Sequence, residues 1–208
     1  MSEHLSFIEL MDNNNTVVDS KLFVNFRNYS TVYLSLTADT LFYESQENTY
    51  LEALATIFRQ LPEGYKVKLQ NRVAVTSGKG NHFIDITELV SLTYLASADD
   101  SVLRFEIQCL FNDTQYSAEA TEDFSIALQK LKNKMNVNFN ICAFCENGDF
   151  MSTGGEDLRH GWYCLREVMP RERLLPWFER EDEFKKAIPN LSAFHWCPKF
   201  SLSDKEFI

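Results

Sequence analysis

Apolar and polar positions alternate along most of the first two thirds of the chain. Leu5 to Leu10 is apolar enough for a strand and runs into the turn-forming Asn13-Asn14-Asn15. Leu22 to Phe26 alternates, and so does Thr31 to Leu36, with Val32, Leu34 and Leu36 facing one way. A period of two is the strand period, and the short Asn28-Tyr29-Ser30 link suits a hairpin. The period then changes. Leu51, Leu54, Ala55, Phe58 and Leu61 fall on one helical stripe, behind Thr49 and Glu52 in the spacing of a capping box, and Pro62 ends the helix. Alternation returns at Tyr65, Val67, Leu69, Val73 and Val75, and Ser77-Gly-Lys-Gly-Asn81 reads as a hairpin turn, since the spacing of a phosphate-binding loop is absent. Leu103, Phe105, Ile107 and Cys109 mark a further strand that turns back at Asn112-Asp113-Thr114.

A second helix opens at Thr121, with Glu122 and Asp123 in its first turn and Lys130, Lys132 and Lys134 towards its end, both favoured by the helix dipole. Phe124, Ala127, Leu128, Leu131 and Met135 form its buried face. Val137, Phe139 and Ile141 alternate directly into Cys142. From 142 to 170 the periodicity is lost. A last amphipathic helix is expected over 176–187, with Pro176 in its first turn and Trp177, Phe184 and Ile188 on one side. No internal repeat shows. The sum is an α+β protein: a mainly antiparallel sheet with two or three packed helices over residues 1–136, then an irregular, cysteine-rich lobe over 137–208 packed on it.

Composition narrows the function classes. The 208 residues are 45% hydrophobic, enough to bury a core, and the formal net charge is −10. That charge argues against nucleic acid and anionic membrane surfaces, whose recognition needs Lys and Arg; by itself acidity serves to keep a protein soluble, and the alternative it leaves open is a basic protein as partner. The N-terminus has no basic stretch followed by an apolar run, so it does not read as a signal peptide. No segment reaches the ~18 uninterrupted apolar residues of a membrane span. The expectation is a cytoplasmic protein, where clustered cysteines bind metal or do chemistry rather than form disulfides.

Five cysteines are present. Cys109 lies on the apolar side of a strand and reads as a core residue. Cys142 and Cys145 form a Cys-x-x-Cys leaving a strand, with Gly148 soon after, in the manner of a zinc knuckle. The two-residue gap lets both sulfurs face one ion, and glycine allows the tight backbone. Tetrahedral zinc needs two more ligands, and Cys164 and Cys197 supply them. His195 stands two residues from Cys197 and, in a strand, faces the same side, so the fourth ligand stays open between them. His160 is a further substitute.

The order Cys142-x-x-Cys145, Asp149-Phe150, Gly154-Gly155, Cys164-Leu165-Arg166 and Cys197-Pro198-x-Phe200 resembles an uncharacterised bacterial family. Its members share a Cys-x-x-Cys, an Asp-aromatic pair, a glycine-rich stretch, a Cys-Phe-Arg-like segment and a late Cys-Pro-x-Phe. The resemblance covers roughly residues 137–200 and departs at Leu165 and in the insert from Glu156 to His160. It implies that the four cysteines belong together and implies no activity.

No pattern rises to an active site. A redox dithiol normally opens a helix, which lowers the thiol pKa, whereas this pair leaves a strand beside Glu146 and Asp149. The reading is therefore a non-enzymatic interaction module with a structural zinc. The alternative is a zinc- or thiol-dependent enzyme using the same cysteines with His195, His160 and Glu156.

Overall fold

The computed structural model describes residues 2–28, 31–78, 80–94, 101–121, 124–151, 161–169 and 175–203. Two halves of the chain repeat one order of elements. β1 (Ser2–Met11), β2 (Val17–Asn28), β3 (Thr31–Ala38) and β4 (Leu41–Glu47) lead into α1 (Tyr50–Gln60). β5 (Lys66–Ser77), β6 (Gly80–Tyr94), β7 (Ser101–Phe111) and β8 (Thr114–Ala120) lead into α2 (Phe124–Met135). Consecutive strands in each half pair antiparallel, and β1 pairs with β5, giving the order β4-β3-β2-β1-β5-β6-β7-β8. The order is a palindrome about β1 and β5. This topological repeat has no counterpart in the sequence, where no repeat shows.

The α+β class expected from the sequence is corrected. The protein is largely an antiparallel β-sheet fold, with 53% of the described residues in strands and 19% in helices. Three strands without a strong sequence signal account for much of the difference: β4, β6 and β8. β4 and β8 lie at the sheet's ends, so much of their surface meets solvent and the apolar alternation fades. In β6, the alternation of Ile84, Ile86, Val90 and Leu92 is interrupted by the buried Glu88. The expected helix over 176–187 is also corrected. It breaks into a 3-10 turn at Trp177–Glu179 and the four-residue α3 (Glu181–Phe184), and the chain then enters a strand at Ile188. The break is at Arg180, whose buried guanidinium pairs with Asp149 at 3.0 Å and Glu183 at 3.1 Å and lies over the Phe184 ring. A buried guanidinium must keep such partners, and that tie competes with straight helix.

The core lies on one side of the sheet. Leu22 opposes Leu36, Val24 opposes Leu34, and Val67 opposes Leu10 and Val90. α1 buries Ala53, Leu54, Ile57 and Phe58 against them, each larger side chain contributing about 1.5–3 kcal/mol. Thr49 caps it by accepting from the Glu52 N–H at 3.2 Å, while the Glu52 carboxylate accepts from the Thr49 hydroxyl at 3.1 Å. α1 packs on β3 and β4 and also reaches β6 and β7. On a flat sheet β3 and β6 would stand about 19 Å apart, four strand spacings, too far for one helix about 10 Å across. The sheet therefore curls around α1. α2 covers β7 and β8.

Each helix also closes the outer edge of its own half. Gln60 Nε2 donates to the Glu44 carbonyl on β4 at 2.9 Å. Lys130 Nζ and Lys134 Nζ donate to the Glu119 and Ser117 carbonyls on β8 at 3.1 and 2.8 Å. Such caps discourage edge-to-edge pairing with another chain.

Cys109 is buried on β7 with its Sγ 3.5 Å from Met135 Sδ on α2. Burial pushes its thiol up from 9.0 to about 11. The folded state thus holds this proton more tightly than the unfolded chain does, and the associated stability is complete below pH 9.0 and lost as pH rises towards about 11. Cys109→Ala should flatten the alkaline fall of the urea midpoint relative to the parent protein; an unchanged slope would contradict the assignment.

Candidate functional site: a four-thiol cavity

The cysteine lobe begins where the main sheet gains one more strand. β9 (Asn138–Phe139) pairs with β5 at Val75 and Thr76, and the Asn140 N–H donates to the Ala74 carbonyl at 2.7 Å. Ile141 is then fully buried, and a 3-10 turn at Cys142–Phe144 comes next. Phe144 anchors this turn, edge-on to Phe139 and beneath Lys132 Nζ at 4.8 Å. The knuckle closes on itself, with the Cys145 N–H on the Cys142 carbonyl at 3.1 Å and the Gly148 N–H on the Cys145 carbonyl at 3.0 Å. A Cβ on Gly148 would overlap the Cys142 carbonyl oxygen, so close approach requires glycine here.

Backbone pairing brings in the other two cysteines. β10 (Gly148–Phe150) pairs with β11 (Trp162–Cys164), placing Gly148 opposite Cys164, and the Leu165 N–H donates to the Asn147 carbonyl at 2.8 Å. β12 (Ile188–Leu191) flanks β11. The chain from 193 to 203 then grips the knuckle at several points. Ala143 N–H donates to the Ala193 carbonyl and Cys142 N–H to the His195 carbonyl, both at 3.0 Å. Glu146 N–H donates to the Ser201 carbonyl at 2.8 Å, and Ser203 N–H donates to the Phe144 carbonyl at 2.9 Å. Cys197 is carried between these clasps.

Cys142, Cys145, Cys164, Cys197 and His195 all line one cavity of about 150 Å³. His160 and Glu156 lie outside the described residues. Arg166, two residues beyond Cys164, joins the site: its Nη2 donates to Cys197 Sγ at 2.7 Å and to the Lys199 carbonyl at 3.1 Å. The Lys199 N–H also donates to Cys197 Sγ at 3.3 Å. The hydrogen bond to the Cys197 sulfur raises the Arg166 pKa above its ordinary value. Sequence reasoning saw Arg166 only as part of a motif, because its partner lies 31 residues away.

Burial, and then repulsion from charge on Cys145, Cys164 and Cys197, pushes the Cys142 thiol up to about 12, with Arg166 opposing. A bound divalent ion would favour the thiolate form through its own charge. By donor type the site suits a thiophilic ion: four sulfurs, a glycine-tightened turn and an N–H donor to sulfur. By present spacing it is open. Among the described residues no group of three or more His, Cys, Asp or Glu side chains is arranged to hold an ion.

Comparison with protein-family models, curated proteins and solved structures finds no match to the chain. No helix among the described residues is long and apolar enough to cross a membrane.

Gly148→Ala should destabilise the protein by roughly 1–3 kcal/mol, the usual cost of forcing extra atoms into a packed site. Gly78→Ala, where a Cβ meets nothing within 4 Å, serves as the control. Equal denaturation midpoints for the two variants would refute the tight-knuckle account.

Proposed function

We propose that the protein is a non-enzymatic interaction module that docks a basic protein, with a C-terminal lobe stapled by a structural zinc ion on Cys142, Cys145, Cys164 and Cys197. The observation that carries the docking role is the outer face of the first half-sheet, the face turned away from the core. Cross-strand registers set Phe7, Lys21, Thr37 and Phe42 in one row and Leu5, Phe23, Ser35 and Glu44 in the next. Phe7 is 76% exposed, and Leu5 and Phe42 are exposed as well. Phe23 and Tyr33 meet edge to face beside them. Contiguous exposed apolar side chains of this kind mark interaction surfaces. Glu3, Asp19 and Glu44 share the face and supply the negative rim that a basic partner complements.

The zinc reading is supported by the common cavity and by the glycine-tightened turn. Bound there, zinc would cross-link three segments distant in sequence, and a closed four-thiolate shell leaves no position for substrate. His195 keeps its place on the cavity wall as the substitute for Cys197. One observation favours the enzymatic alternative: Arg166 donates a hydrogen bond to the Cys197 sulfur at 2.7 Å. Fast, selective alkylation of Cys197 in zinc-loaded protein would favour that reading.

Two measurements test the proposal. Elemental analysis of purified protein should find about one zinc per chain, reduced by Cys142→Ser. Chelator, or acid that protonates the thiolates, should release the zinc and raise hydrogen exchange first in the C-terminal third. Uniform exchange across the chain, or zinc content indifferent to Cys142→Ser, would sink the zinc assignment. Separately, Phe7→Ser should weaken binding of a purified basic partner about tenfold, as loss of an interface anchor does, and the affinity should fall as salt rises. Because Phe7 is exposed, stability should change by less than about 0.5 kcal/mol. Affinity unaffected by both the substitution and salt would exclude this face.

A further inference from the structure

A second cavity, of about 330 Å³, adjoins the thiol site and shares Cys197 and Phe200 with it. Thr76, Asn81, Asn138, Asn140 and Trp196 line the remainder with Pro198. The polar groups come from three segments: the end of β5, the start of β6, and the β9 stretch that pairs with β5. They are already organised. Asn140 Nδ2 donates to Thr76 Oγ1 at 2.6 Å, and that hydroxyl donates to Asn81 Oδ1 at 2.6 Å. A carboxamide has two donors and two acceptor lone pairs, so amides tied into this chain retain capacity for a ligand. Trp196 is 45% exposed and held edge to face by Phe83 at 5.8 Å, with the Arg72 guanidinium over that phenylalanine at 5.2 Å. It is an anchored indole with much of its surface free.

Among the described residues no Asp, Glu, Lys, Arg or His lines this cavity. A charged ligand would find no countercharge, and a net charge of −10 further disfavours anions. What the walls offer is paired donors and acceptors plus an aromatic surface. Hydroxyl groups, each both donor and acceptor, match carboxamides of this kind, and sugar C–H faces match an indole. A nucleobase presents its polar atoms along one planar edge, whereas these groups approach from three segments. We infer that this cavity binds a neutral, hydroxyl-rich ligand, a saccharide unit. The inference is independent of the docking face, and its amides and hydroxyl sit on the main sheet and its added strand, while Trp196, Cys197, Pro198 and Phe200 bring in the cysteine lobe as the opposite wall.

The test is a titration of the full chain, monitored by NMR of the Asn side-chain amides and the Trp196 indole N–H. The probes are methyl glucoside, methyl mannoside and N-acetylglucosamine, with adenosine and cytidine as comparators, all at millimolar concentrations. At least one sugar should shift the Asn81, Asn138, Asn140 and Trp196 signals saturably. Asn140→Ala should weaken that binding about tenfold, the loss of one good hydrogen bond. Asn81 and Asn138 are exposed, so Asn81→Ala and Asn138→Ala keep the test valid if Asn140→Ala fails to fold. Zinc content is measured on the same samples, so that loss of the lobe is distinguished from loss of the site. No saturable shift with any sugar overturns the inference. So does binding of the nucleosides alone, or sugar binding indifferent to all three substitutions.

Discussion

Three residue pairs hold the two halves of the sheet together: Glu9 with Lys68, Leu10 with Val67, and Met11 with Lys66. The first is also an ion pair at 2.7 Å. The brevity of this seam governs the rest of the architecture. β5 is twelve residues long, but only its first three pair with β1. The two strands then diverge, as the curl around α1 demands. That divergence leaves the far end of β5 available, and at Val75 and Thr76 it takes up β9. The cysteine knuckle and the amide-lined cavity both start from that added strand. A longer β1–β5 seam would have flattened the sheet and removed the place where the lobe attaches.

The lobe is built from short elements around a few buried side chains, Leu165, Val168 and Phe184 among them. Its strands have two to four residues, and α3 has four. Ile141, Phe144 and Trp162 tie it to the main core, but much of the rest is held by backbone bonds between distant segments and by the Arg180 ion pairs. Backbone hydrogen bonds contribute only about 0.5–1.5 kcal/mol each net of water. Fixing a residue costs about 1–2 kcal/mol of entropy. Segments so short do not offset that cost by hydrogen bonding alone, and a cross-link at the point where three of them meet would supply the difference.

The legibility of the sequence has the same physical basis. β1, β2, β3, β5 and β7 were readable because each turns an apolar row to the core, and α1 because its stripe and Thr49 cap are local. Edge strands β4 and β8 bury too little to show a pattern. The palindromic topology was unreadable for a different reason: it is a relation between backbones, and the two halves satisfy it with different side chains. Cys142 and Cys145 announced themselves through spacing. Nothing local linked Cys164 and Cys197 to them, since their approach depends on the Gly148–Cys164 pairing and the His195 carbonyl. Thr76, Asn81 and Asn140 gave no signal at all, because isolated polar residues at strand ends are common and only the fold places these three in one hydrogen-bonded chain.

Cys197 and its neighbours make one wall serve two cavities. Trp196 belongs to the amide-lined space, Cys197 to both, and Lys199 offers its N–H to the Cys197 sulfur and its carbonyl to Arg166. The segment has little regular structure of its own, so its path is set by what its side chains and backbone hold. On the thiol side those holds are Arg166 on the Cys197 sulfur and the backbone bonds from the knuckle. On the other side they are Phe83 against Trp196. A change in charge at the thiols would alter the hold on Cys197, and Trp196 is bonded directly to it, so the shape of the second cavity is mechanically linked to the state of the first. The amides on the sheet do not share that dependence, because Thr76 and Asn140 are fixed by the β5–β9 pairing. The cavity thus has one wall inherited from the sheet and one wall carried by the irregular segment that also borders the thiol cavity.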